Sequence, residues 1–137
     1  MVKQYGQLLR ETRARLRPTE GELAAQTARE LLAMASGKSV AALLADQELY
    51  ASEAIEARLG DLTARYLAGC PLAYLLGQWD FRGLTLTVTP DVLIPRDDTL
   101  AVTELTIERL QGREGLLRVL DLCTGSGCIG LAIADVV

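Results

Sequence analysis

Gly125, Gly127 and Gly130 stand at G-x-G-x-x-G spacing inside the stretch VLDLCTGSGCIGLAIADVV, and Asp121 stands four residues before the first of them. Glycines so placed let a backbone approach a ligand closely and take dihedrals closed to other residues. A helix starting behind them aims free N–H groups and a partial positive charge at whatever lies there. Two cofactor classes use such a turn. A dinucleotide asks for an acid ~20 residues further on, to hold the ribose, and only seven residues follow Gly130. A carboxylate at 121 suits a ligand carrying an ammonium and a sulfonium better than one carrying a pyrophosphate. The charge argument therefore favours S-adenosyl-L-methionine, with Asp121 facing its cationic groups and Gly125 and Gly127 letting the backbone approach it. The plain alternative is a tight strand-to-helix turn without a ligand.

Other chemistries find little to work with. The chain has no histidine, the commonest general base and metal ligand. Its three cysteines, Cys70, Cys123 and Cys128, fit no zinc spacing, so no metal site is expected. Their odd number, with no secretory leader in MVKQYGQLLRETRARLR, points to the reducing cytoplasm. Cys123 and Cys128 read as small packing residues rather than a redox pair. A net charge of −4 argues against a broad grip on nucleic acid. Arg10, Arg13, Arg15 and Arg17 offer a surface for a ribosomal or nucleic-acid partner, but in a chain acidic overall a solvated helix face is the expected reading. No apolar run approaches the ~20 residues of a membrane span.

The elements that must position the loop follow from periodicity. YGQLLRETRARL places Tyr5, Leu8, Leu9 and Leu16 near one helix face, with Pro18 as the stop. Thr19 and Glu22 have capping-box spacing for a second helix, along which Leu23, Thr27, Leu31 and Ala35 face the core before Gly37 ends it. Ser39 caps a short helix. Ser52 opens another, with Ile55, Leu59, Leu62 and Tyr66 inward and a stop at Gly69, Cys70 and Pro71. These helices make a small antiparallel bundle. WDFRGLTLTVTP then alternates as a β-hairpin broken at Arg82-Gly83, with Trp79, Phe81, Leu84, Leu86 and Val88 on its buried face. DTLAVTELTIERLQG reads as a helix capped by Asp97 or Asp98. LLRVLDL reads as a strand buried on both faces of a parallel sheet.

The segment AYLLGQWDFRGLTLTVTPDVLIPRDDT followed by VLDLCTGSGCIGLAIA resembles the protein-(glutamine-N5) methyltransferases of peptide chain release factors, the HemK or PrmC family. The resemblance implies an α/β protein: an N-terminal helical bundle over 1–72 that recognises substrate, a β-hairpin linker over 73–95, and over 96–137 the truncated start of a class I, Rossmann-like methyltransferase domain. It implies S-adenosyl-L-methionine as cofactor and, as protein partner, a release factor methylated on the glutamine of its Gly-Gly-Gln motif. By carry-over, the loop Cys123, Thr124, Gly125, Ser126 and Gly127 lines the methionine end of the cofactor, and Pro95 and Arg96 form a wall of the methyl-transfer site. The chain departs from the family at Cys123, where glycine is common, and at Asp97-Asp98, where Pro-Glu is common. The family's Asn-Pro-Pro-Tyr motif, which grips the substrate amide, occurs nowhere in the 137 residues. No catalytic residue is therefore assigned, and the chain alone is expected to be inactive. The region after about residue 115 is expected to pair with another chain, self-association included, or to be poorly protected. Ribosomal-protein glutamine methyltransferases share these motifs. A partner-binding module with a vestigial cofactor turn is a further alternative.

Overall fold

The computed structural model describes residues 2–137. The chain divides into two compact units, the first ending at Leu76 and the second beginning at Gly77.

The first unit is helical. Helix α1 spans Tyr5–Glu20, a 3₁₀ turn Gly21–Leu23, α2 Ala24–Ser36, α3 Val40–Ala45, α4 Glu53–Leu67 and α5 Leu72–Leu76. Its core joins Leu8 and Leu16 of α1 to Leu31 and Leu32 of α2, Leu43 of α3, Leu59 and Leu62 of α4, and Leu75 of α5. Burial of such a leucine set is the main force holding the bundle. Ser39 and Ser52 cap as expected: their hydroxyl oxygens accept from the N–H groups of Ala42 at 3.1 Å and Ile55 at 3.3 Å. Gly37 closes α2 in the left-handed region, at φ 73°.

Two sequence expectations fail at the α1–α2 junction. Pro18 does not stop α1, which runs on to Glu20. A proline forfeits one hydrogen bond, a loss that a final turn tolerates better than a helix middle. The stop is Gly21, at φ 56°, whose N–H donates to the Arg17 carbonyl. Thr19 therefore lies inside α1, and no capping box forms; α2 begins without a side-chain cap. Its inward face is also shifted. Thr27, Leu31 and Ala35 are buried as expected, but Leu23 is exposed, and Ala24, Ala28 and Leu32 complete the stripe.

The amino-terminal segment is tied to the loop before α4. Tyr5 N–H donates to the Leu49 carbonyl at 3.0 Å, Gly6 N–H to that of Gln47 at 2.9 Å, and Ala51 N–H to that of Lys3 at 2.9 Å. Lys3 Nζ lies 2.7 Å from Glu11 Oε2 and 2.9 Å from Glu56 Oε1. Those hydrogen bonds raise the lysine's pKa, and the bond from Lys3 lowers that of Glu11.

The second unit opens on a hairpin, β1 Gln78–Phe81 and β2 Leu84–Thr87, antiparallel with Trp79 opposite Leu86 and Phe81 opposite Leu84. Arg82 and Gly83 both have positive φ, 57° and 79°, as a two-residue turn matched to strand twist requires. Arg82 Nε donates to Glu104 Oε1 at 2.9 Å, tying the turn to the next helix. That helix, α6, spans Asp97–Leu110, and α7 spans Cys128–Ala134. Phe81, Leu86, Cys128 and Ala132 form the core, with Leu84, Leu100 and Ile129 against it. Trp79, expected in this core, is 38% exposed. An indole is too large for the little cover available, and tryptophans are seldom fully buried.

The expected strand over 116–122 does not form: that stretch is irregular, with Leu116 95%, Leu120 80% and Leu122 77% exposed. Its composition suits a strand flanked by neighbours on both edges and covered on both faces. Among the described residues no strand pairs with it, so its backbone has no ladder to join. The Rossmann-like start is thus not seen; the observed architecture is a helical bundle followed by a hairpin and two helices. Among the described residues no helix is long and apolar enough to cross a membrane.

Candidate functional site

The site is built around one carboxylate. Asp121 Oδ2 accepts from Thr124 Oγ1 at 2.9 Å and from the Gly130 N–H at 3.1 Å. Gly130 lies in the first turn of α7, whose N–H groups have no partner within the helix. Asp121 therefore caps α7 from nine residues upstream. A Cβ at 130 would come within 3.3 Å of that same oxygen. The third glycine of the spacing thus makes room for Asp121, a role that sequence reasoning missed. Only the pairing of an acid with a glycine in the following helix could have signalled it.

The loop between them is wound tightly. Cys123 has φ 59°, Gly125 56° and Gly127 79°. Gly127 N–H donates to the Thr124 carbonyl at 2.9 Å and its own carbonyl accepts from Leu131 N–H at 2.9 Å, which starts α7. Cys123, Thr124 and Gly125 are exposed, while Ser126 and Gly127 are half-buried. A side chain at Gly125 would meet nothing nearer than the Cys123 carbonyl at 3.9 Å, so the outer surface of the turn is open. The two thiols part company: Cys123 is exposed and Cys128 buried in the core.

Left-handed backbone costs a non-glycine residue about 1–2 kcal/mol, and glycine's extra freedom in the unfolded chain offsets about half of that. Cys123→Gly is therefore expected to stabilise the second unit by about 0.5–1 kcal/mol. Urea unfolding followed by the fluorescence of Trp79, the one tryptophan, reads that unit directly. A loss of stability would mean that the thiol makes contacts worth more than the strain.

Beside Asp121 and Gly130 opens a cavity of about 610 Å³, walled by Leu110, Leu116, Leu117, Val119 and Ile133 among others. Its walls are mostly aliphatic. Residues 123–127 do not line it. Pro95 is half-buried and Arg96 exposed, just ahead of α6. The Arg96 carbonyl accepts from the N–H groups of Thr99 at 3.0 Å and Leu100 at 3.3 Å. Leu100 in turn packs against the core cluster that holds Cys128 and Ala132, so the α6 start and the glycine loop are carried by helices of one core. Among the described residues no hydrogen bond or salt bridge joins Pro95 or Arg96 to the loop. Asp97 and Asp98 make no cap hydrogen bond; Arg96 holds the cap position and the two acids fill the first turn, where their charge favours the helix dipole. Among the described residues no cluster of acids and cysteines could hold a metal.

The donor set suits a cationic small molecule: one half-buried carboxylate at the root of an open, glycine-rich turn. Helical bundle, hairpin and glycine turn in this order define a two-unit protein with its ligand-type loop in the second unit. Residues 7–77 match the PrmC N-terminal domain, and the chain belongs to the PrmC family. It is similar to the release factor glutamine methyltransferase of Bordetella pertussis, 49% identical over 107 residues, which are 78% of this chain and 39% of that relative. The protein of that name from Coxiella burnetii is 44% identical over 97 residues, 71% of this chain and 35% of the relative. That from Haemophilus influenzae is 39% identical over 109 residues, 77% and 37%. The chain spans well under half the length of these curated relatives.

Proposed function

We propose that this chain is the N-terminal portion of an S-adenosyl-L-methionine-dependent methyltransferase that acts in the cytoplasm on the glutamine of the release-factor Gly-Gly-Gln motif. The observation that carries the reading is the likeness to release factor glutamine methyltransferases over more than a hundred residues. An alignment of 107 residues is longer than the first unit, so the likeness runs into the second. The shared release-factor name favours that substrate over a ribosomal-protein glutamine.

The bound cofactor supplies an electrophilic methyl group. Asp121 would face its ammonium, with the backbone of residues 123–127 around its methionine end and Pro95 and Arg96 walling the approach of the substrate. A glutamine amide nitrogen is a poor nucleophile because its lone pair is delocalised into the carbonyl. The reaction therefore depends on holding that nitrogen in line and on acceptors placed for its N–H groups, which is positioning and preorganised polarity. The Asn-Pro-Pro-Tyr motif assigned that task in the family is not among these residues.

Deleting the gene in its host tests the reading. The peptide carrying the Gly-Gly-Gln motif should lose one methyl group by mass spectrometry and regain it on complementation. Full methylation in the deletion strain would overturn it.

A further inference from the structure

The net charge of −4 hides an uneven distribution. In the first unit nine Lys and Arg balance nine Asp and Glu, and the whole excess of acid belongs to the second. Four of the nine basic residues, Arg10, Arg13, Arg15 and Arg17, stand within one half of α1. All four are exposed. None forms a salt bridge among the described residues, although Lys3, Lys38, Arg65 and Arg82 all do. Glu11, the acid in their midst, is engaged by Lys3 at 2.7 Å.

Helical geometry sorts the four. Arg10, Arg13 and Arg17 recur at intervals of three and four and project from one side of α1, spread over about 10 Å of its length. The opposite side carries Leu8, Thr12 and Leu16, which are buried. Arg15 points away from the other three. Three like charges on one face repel one another and weaken an isolated helix; the Glu11 carboxylate beside Arg10 offsets part of that repulsion, but no salt bridge closes on any of the three among the described residues.

We propose that the Arg10–Arg13–Arg17 face of α1 docks an acidic surface of the protein substrate; the partner, though not the surface, rests on the release-factor reading above. The chemistry favours carboxylates over a nucleic-acid backbone. Single-stranded nucleic acid is gripped by basic grooves interleaved with aromatic rings, and the one aromatic residue of α1, Tyr5, is buried. A neutral unit attached to an acidic one lacks the broad positive field that duplexes require. All three residues are arginine rather than lysine. The guanidinium fork matches a carboxylate in two parallel hydrogen bonds and is enriched in protein interfaces.

The test is calorimetric titration of the chain with a release factor at low and at moderate salt. Arg10→Glu, Arg13→Glu and Arg17→Glu together should weaken binding at least about tenfold and flatten its salt dependence. The triple glutamine variant should give a smaller loss in the same direction, with the helix content of both variants unchanged by circular dichroism. Arg58→Glu, exposed on α4, should bind as the wild type. Wild-type affinity in the triple glutamate variant would overturn the inference while leaving the substrate reading intact. An equal loss in Arg58→Glu would overturn the assignment to α1. Loss of affinity for mixed-sequence RNA with release-factor binding retained would make the occupant a nucleic acid and overturn it too. If the wild type binds no release factor, the docking proposal falls; gene deletion then decides the substrate reading separately.

Discussion

Leu31→Ala is expected to destabilise the first unit by about 3 kcal/mol. Leu31 is fully buried, 0% exposed, and packs among Leu16, Leu32 and Leu43, which are equally closed to solvent. The loss combines the transfer free energy of the missing carbons with the cavity left behind. Helices α1, α2 and α4 meet at this layer, so no single segment can collapse into the gap without moving the others. Small domains hold about 5 kcal/mol or a little more in reserve, so most of the margin would go. Urea unfolding followed by far-ultraviolet circular dichroism measures the loss. A change under about 1 kcal/mol would mean that the bundle repacks freely and that Leu31 is not central to it.

Asp121 is the second position of large effect, and two substitutions separate its two roles. Asp121→Ala removes the acceptor for Thr124 Oγ1 and for the Gly130 N–H at once, freeing the loop and the first turn of α7. Amide exchange at Gly130 and the residues after it should speed up markedly. Asp121→Asn keeps an oxygen in place and should leave that exchange close to wild type. It removes the charge, however, and in the protein carrying this chain the affinity for S-adenosyl-L-methionine should fall about tenfold, the usual worth of a charge-assisted hydrogen bond. The alanine variant should bind more weakly still. If Asn binds the donor as tightly as Asp, the carboxylate is a helix cap alone and its place in the cofactor site is wrong.

Local signals proved most legible. Ser39 and Ser52 cap where their type and spacing say, Gly37 ends α2, and the Arg82-Gly83 break is the hairpin turn, because each depends on a few neighbouring residues. At the α1–α2 junction two neighbouring signals compete with the residue that makes the boundary. Pro18 and the Thr19–Glu22 spacing both argue for a boundary, yet Gly21 alone has the left-handed backbone that makes one. Residues 72–76 form a short helix with no periodic signature, since one turn is too short to show a period. LLRVLDL has the right composition for a buried strand, but strand formation is a property of pairs, and its own sequence cannot supply the neighbour. At the glycine loop, Gly125 and Gly127 take the left-handed backbone their spacing suggests. Gly130 turned out to serve Asp121, because a close approach between two side-chain positions leaves no periodic trace.

The most direct measurement is methyl transfer in vitro: labelled S-adenosyl-L-methionine, a purified release factor and the protein carrying this chain, with a ribosomal protein as the competing substrate. Label should appear on the release factor, should be found on the amide nitrogen of the Gly-Gly-Gln glutamine, and should vanish when that glutamine is replaced by alanine. Label on the ribosomal protein alone, or on the release factor irrespective of that glutamine, would contradict the proposed function.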